Sequence, residues 1–238
     1  MEDHLFEMSD NPWENERCDN LRKRCQAFLK DLTAHAESLD PDELVKQLGA
    51  VTREYANEST LHRGVYCPSP VRDLVVDNEM RGSLLAAAPE DGFVYTLNDK
   101  GALVLCEEYR KGNLQQREFL LRDRELVYGF SWLPSGELVN MSRERYENGK
   151  LVEYVYAGCD PEDAQCFVED YHYDALGLES SEHCCYEIQT GIVRQWRYLF
   201  ERENGMLTAY YASRSGCPFP KDANGNCIAQ EITVERKS

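Results

Sequence analysis

Residues 92–211 are punctuated by turn signals at intervals too short for helices. Asn98-Asp-Lys-Gly101, Lys111-Gly-Asn113, Pro134-Ser-Gly136, Glu147-Asn-Gly149 and Glu203-Asn-Gly205 each interrupt a short amphipathic segment. Asn-Gly pairs and Gly-containing breaks between such segments are hairpin turns, and consecutive hairpins make an antiparallel meander. The spacing predicts strands over 93–97, 102–109, 114–121, 126–133, 137–146, 151–156, 166–174, 183–188, 192–200 and 206–211. Before them, 64–67 and 71–76 also read as strands. After them, a proline-rich connection over 215–220 and the turn Asn224-Gly225 lead to a last strand over 228–234.

The alternation within the segments describes the sheet. Ile192, Arg194, Trp196, Tyr198 and Phe200 alternate with Val193, Gln195, Arg197 and Leu199, so both faces carry apolar residues. A half-solvated sheet would divide more cleanly. A curved or partly closed sheet, covered on one side, fits the pattern and removes exposed edges.

The cover comes from the N-terminus. Cys18, Leu21, Cys25, Phe28, Leu32, His35 and Leu39 recur at spacings of three and four, one stripe of an amphipathic helix. His35 on that stripe reads as a boundary histidine. Asp40-Pro41-Asp42-Glu43 then opens a second helix with a capping residue, a proline at the first helical position and a capping-box acid. Its expected stripe is Leu44, Leu48, Val51 and Tyr55. The predicted fold is therefore α+β: a helical hairpin over 1–60, then a meander of roughly ten or more strands over 61–238.

Charge narrows the partners. With 26 basic and 43 acidic residues the formal net charge is −17. A field of that sign repels nucleic acid and anionic membranes and attracts cationic proteins. The first residues are acidic and lack the apolar core of a signal peptide, so a cytoplasmic location is expected. The ten cysteines are then expected as thiols, and no Cys-x-x-Cys occurs among them. Cys217 and Cys227 flank a turn and are placed to pair in an oxidising setting.

Two segments carry a resemblance. Tyr171-His-Tyr-Asp-Ala-Leu-Gly-Leu178 resembles one unit of the YD-type repeats of Rhs-like bacterial shell proteins, with Leu178 where those repeats usually have arginine. Tyr146-Glu-Asn-Gly-Lys-Leu151 resembles the hairpin turn of MORN-type repeats. The turn glycines hold no single period along the chain. The resemblance implies a β-hairpin architecture and an association with bacterial toxin and immunity systems. It implies no catalytic residue.

One candidate metal site stands out. A hairpin centred between Gly177 and Leu178 sets His172 opposite His183 and Asp170 opposite Cys185, a donor set suited to zinc. A one-residue slip would part the histidines, leaving two polar cross-strand residues. Asp222-Ala-Asn224-Gly-Asn226 has alternating oxygen donors, but Cys227 and Thr233 stand where a calcium loop needs Gly and Glu. No Gly-x-Ser-x-Gly, phosphate loop or dinucleotide fingerprint is present. The remaining signal is a set of acids and aromatics on shared rungs, represented by Glu108, Glu144, Glu153, Tyr154, Glu169, Asp170 and Trp196. Together with the charge, it leads to an immunity-type inhibitor that binds a basic toxin and needs no cofactor. The alternatives are a metal-dependent or carbohydrate-acting enzyme using the His172/His183 hairpin, and a structural repeat protein without a dedicated site.

Overall fold

The computed structural model describes residues 12–57, 68–69, 83–159, 164–191, 193–203, 206–215 and 231–232, with side chains from residue 19 and, beyond residue 195, for 197–200 only. The strands expected over 64–67 and 71–76, the connection after Ser215, the 222–226 loop, the Cys217/Cys227 pair and most of the last strand lie outside these residues.

Two helices, α1 (Pro12–Glu37) and α2 (Pro41–Gln47), precede the strands β1 (Thr52–Ala56), β2 (Leu84–Leu85), β3 (Gly92–Leu97), β4 (Leu103–Arg110), β5 (Asn113–Asp123) and β6 (Leu126–Trp132). There follow β7 (Leu138–Glu147), β8 (Lys150–Gly158), β9 (Gln165–Asp174), β10 (Gly177–Glu187), β11 (Val193–Glu203), β12 (Met206–Ser215) and β13 (Glu231–Ile232). They form one 13-stranded sheet in the order β13-β12-β11-β10-β9-β8-β7-β6-β5-β4-β3-β1-β2. From β3 onward each strand lies beside its neighbour in the chain, as the turn signals predict. At the β7–β8 turn Asn148 and Gly149 have φ of 51° and 77°. Two successive left-handed residues make the tight turn whose twist suits a hairpin, and Asn-Gly tolerates that conformation best. The sheet is open, with β13 and β2 at its ends, so closure does not protect the edges. Among the described residues the two end strands are instead very short, two residues each, which limits the unpaired backbone they present.

The helical hairpin is shorter than its sequence pattern. Asp40 caps α2 as expected, accepting from the backbone of Asp42 at 2.9 Å and Glu43 at 3.3 Å. The helix then stops at Gln47, and Tyr55 stands on β1, paired with Val94. Gly49 and the β-branched Val51-Thr52 weaken the helix at that point, and pairing with β3 supplies the segment's backbone bonds. Leu44, Val45 and Leu48 are half-buried against the main core.

That core forms where α1 crosses β7, β9, β10 and β11. Cys25, Leu32 and Ala36 of α1 meet Phe119, Phe130, Trp132, Met141, Val155, Cys166 and Val168. Removing each large apolar side chain from water is worth about 1.5–3 kcal/mol. The far face of the sheet has a second cluster of Phe93, Tyr95, Leu97, Leu120 and Val127, to which Tyr146 adds its ring. Both faces are thus buried, as the mixed alternation predicts. His35 stacks on Tyr128 with ring centroids 4.6 Å apart, at the core's edge.

Gly92 marks the tightest approach at the start of β3. Its φ is +142°, and a Cβ there would stand 2.2 Å from the Ala56 carbonyl oxygen. Backbone oxygen does not yield as a flexible side chain does, and the conformation strains any L-residue. Gly92→Ala is expected to destabilise the fold by about 2–3 kcal/mol in chemical denaturation. An unchanged midpoint would contradict this account of the β1–β3 junction.

Candidate functional site

Two neighbouring rows of side chains cross the middle of the sheet, one on each face. On the helix face Arg145, Glu153, Asp170, Glu182 and Arg197 are consecutive cross-strand partners. Arg24 reaches down from α1 onto this row. Its Nη1 and Nη2 each donate to one oxygen of Asp170 at 2.5 Å, and Nη2 also donates to Glu153 at 2.9 Å. Arg143, two residues before Arg145 on β7, donates to the other Glu153 oxygen at 2.7 Å and meets Asp31 of α1 at 3.4 Å. The Phe28 ring lies beneath both guanidinium groups, 4.3 Å from that of Arg143 and 5.5 Å from that of Arg24. The Asp170 and Glu153 carboxylates hold the Arg24 pKa above its ordinary value, against the opposing effect of burial. Forked arginine–carboxylate contacts of this kind fix orientation as well as charge.

On the far face the register lines up Val127, Glu144, Tyr154, Glu169 and His183, and continues to the backbone of Trp196. The Glu144, Tyr154, Glu169 and His183 side chains are all buried. The Tyr146 hydroxyl donates to Glu144 at 2.6 Å. Glu169 accepts from Ser69 at 2.6 Å and from the Tyr171 hydroxyl, and its other oxygen stands 3.4 Å from His183 Nδ1. The His183 ring packs edge-on against Tyr198 at 4.8 Å. Burial lowers the His183 pKa, while Glu169 and Asp170 act to raise it. At neutral pH the imidazole is therefore uncharged, and its contact with Glu169 is polar rather than a full ion pair. Serine, histidine and an acid are together here, but the serine donates to the acid. A nucleophilic relay needs the imidazole between them to take the hydroxyl proton.

The sequence-predicted residues divide between these rows. Glu144, Tyr154, Glu169 and His183 share the far-face row, and Trp196 joins it through its backbone. Glu153 and Asp170 lie on the helix face and grip arginines. The proposed zinc set does not converge. The β9–β10 turn is built on Ala175-Leu176, with Asp174 accepting from the backbone of Leu176 at 2.7 Å and Gly177 at 2.9 Å. A bulge at Glu179 then pairs His172 with Ser180, Asp170 with Glu182, His183 with Glu169 and Cys185 with Phe167. Strand alternation puts Asp170 and His172 on one face and His183 and Cys185 on the other. Among the described residues no group of three or more His, Cys, Asp and Glu is arranged to hold a metal ion. No described helix is long and apolar enough to cross a membrane.

Sequence reasoning missed two features. One is a cluster of three thiols beneath α1: Cys25, Cys166 and Cys184, on segments far apart in the chain. The other is a cleft of about 310 Å3 at the β3–β4 end of the sheet, lined by Asn57, Asp91, Gly92, Phe93, Glu108, Tyr109 and Arg110. Glu108 stands at its wall, bonded to the exposed Arg110 at 3.0 Å. Asp91 accepts from the Lys111 backbone at 2.6 Å. Burial raises the Tyr109 pKa, with the Glu107 charge adding to the effect, so this phenol is neutral. Carboxylates lining a cleft suit a cationic side chain.

Compared with known proteins, the chain matches no protein-family model and no curated protein.

The buried imidazole has a consequence for stability. Unfolded His183 takes up a proton below about pH 6.5, whereas the folded group resists doing so until lower pH. Its stabilising contribution is complete above that value and is lost as pH falls through it, by up to about 1.4 kcal/mol per pH unit. Denaturation at pH 7.5 and 5.5 should show a smaller acid-side loss in His183→Asn than in the parent protein. An equal loss in both would refute a buried neutral histidine.

Proposed function

We propose that the protein is an acidic protein-binding module, and specifically an immunity-type inhibitor that neutralises a basic toxin. The observation that carries the reading is the net charge of −17 on a sheet-built chain. The cleft at the β3–β4 end supports it. Glu108 and Asp91 line it with carboxylates, and the Arg110 partner of Glu108 is exposed and easily displaced. An incoming lysine or arginine would take over the place of Arg110, exchanging one exposed ion pair for a partly desolvated one. The buried acids Glu144, Glu153 and Glu169 act differently. They contribute to the long-range field but cannot touch a partner without opening the sheet. The resemblance to YD-type repeats supports the toxin–immunity setting.

Association with a cationic partner should be fast and steeply salt-dependent. The test is affinity capture in cells expressing the product of the adjacent gene, followed by binding kinetics with the purified partner. The expected partner is basic, and association should slow about tenfold between low and physiological salt. Glu108→Gln combined with Asp91→Asn should slow it by a similar factor. A neutral or acidic partner, or association indifferent to salt, would contradict the reading.

A further inference from the structure

We propose that Cys25 is a thiol oxidised by hydrogen peroxide and resolved by Cys184, forming a disulfide that ties α1 to β10. The Cys25 and Cys184 sulfurs are 3.8 Å apart across 159 residues of chain, and both are buried at the helix–sheet interface. Cys166, on the adjacent strand β9, shares the same pocket of the core. Thiols from three elements thus meet at one point, with sulfur as a hydrogen-bonding partner of sulfur.

The arrangement favours one of the three as nucleophile. Hydrogen bonds from Cys166 and Cys184 lower the pKa of Cys25, the charge of Arg24 adds to this, and burial opposes it. The same contacts raise Cys166 and Cys184. A thiolate at Cys25 attacks one oxygen of the peroxide, the O–O bond breaks, and hydroxide leaves to take up a proton as water. The resulting Cys25 sulfenic acid is attacked by the Cys184 sulfur. The S–O bond breaks, a second water leaves with the Cys184 proton, and the S–S bond forms. Two thiols are oxidised and one peroxide is reduced to two waters. The sulfurs must close to about 2.05 Å, which side-chain rotation and a small shift of α1 accomplish. Cys25 itself is fully buried, so peroxide, close to water in size, reaches it through local opening of α1 from the sheet, at a point where the flanking Gln26 and Arg24 already meet solvent. Cys159 is an internal control, since burial alone raises its pKa to about 11.

The experiment treats the full chain with hydrogen peroxide, blocks remaining thiols by alkylation and maps the peptides by mass spectrometry. The expected product is a Cys25–Cys184 cross-linked peptide, with Cys159 still alkylated. Closing so long a loop should also raise Tm by roughly 5–10 °C, reversibly with dithiothreitol. In Cys184→Ala, Cys25 should remain as a sulfenic acid that dimedone captures. If that variant fails to fold, the peptide map of the parent chain decides. Cys25 alkylating as freely as Cys159 after peroxide, or a cross-link to Cys166 instead, would overturn the proposal.

Discussion

The position of α1 on the sheet depends on the five-membered charge network that Arg24 and Arg143 make with Asp31, Glu153 and Asp170. Glu153 is almost fully buried and accepts from both arginines, one on the helix and one on its own sheet. Arg143, 16% exposed, would if left alone there be an unpaired charge largely away from water, which is strongly unfavourable, and the buried Glu153 would be so without its arginines. The signs are complementary on both sides: α1 supplies one base and one acid, and the sheet supplies one base and two acids. A slide of α1 by one turn would separate all three helix–sheet pairs at once, Arg24 from Asp170 and from Glu153, and Asp31 from Arg143. Apolar contacts alone tolerate such slippage, since Leu21, Phe28 and Leu32 could pack against several neighbouring strands. The network selects one seat.

With that seat occupied, the two faces of the sheet take different burdens. The helix face holds the aromatic core and the thiols. The far face holds an apolar cluster near β3–β6 and a polar row near β7–β10. In the polar row, hydroxyls of Ser69, Tyr146 and Tyr171 satisfy carboxylates where no described guanidinium does. Hydrogen bonds to a charged acceptor are stronger than neutral ones, which is how Glu144 and Glu169 remain acceptable inside. Of the acids that look like a binding surface in the sequence, Glu144, Glu153 and Glu169 are buried and bonded within the fold. Among the described residues, Asp91 and Glu108 are carboxylates at a hairpin end that line a cleft.

Much of this was legible in the chain. Ten segments bounded by turn signals correspond to β3–β12, because hairpin turns and alternation are both local properties. The first helix was legible for the same reason. What failed was long-range. Tyr55 follows a helical spacing, but pairing with Val94 on β3 outweighs it. At β9–β10 the sequence pattern points to Gly177 as the turn centre. Asp174 instead captures two backbone amides one step earlier, and the bulge at Glu179 shifts the register after it. His172 and His183 consequently part, and Glu169 becomes the partner of His183. Arg24, the helix partner of both Asp170 and Glu153, lies 146 and 129 residues earlier in the chain, beyond any pattern a local reading can use.

The central claim is that buried charge pairs hold α1 in its one seat on β7–β11. Residue-resolved hydrogen exchange on Glu153→Gln tests it most directly. With one accepting charge removed, the amides of α1 should lose protection by at least about tenfold. Those of β3–β5, which share none of these contacts, should keep theirs. Unchanged protection in α1, or an equal loss throughout the sheet, would contradict the account.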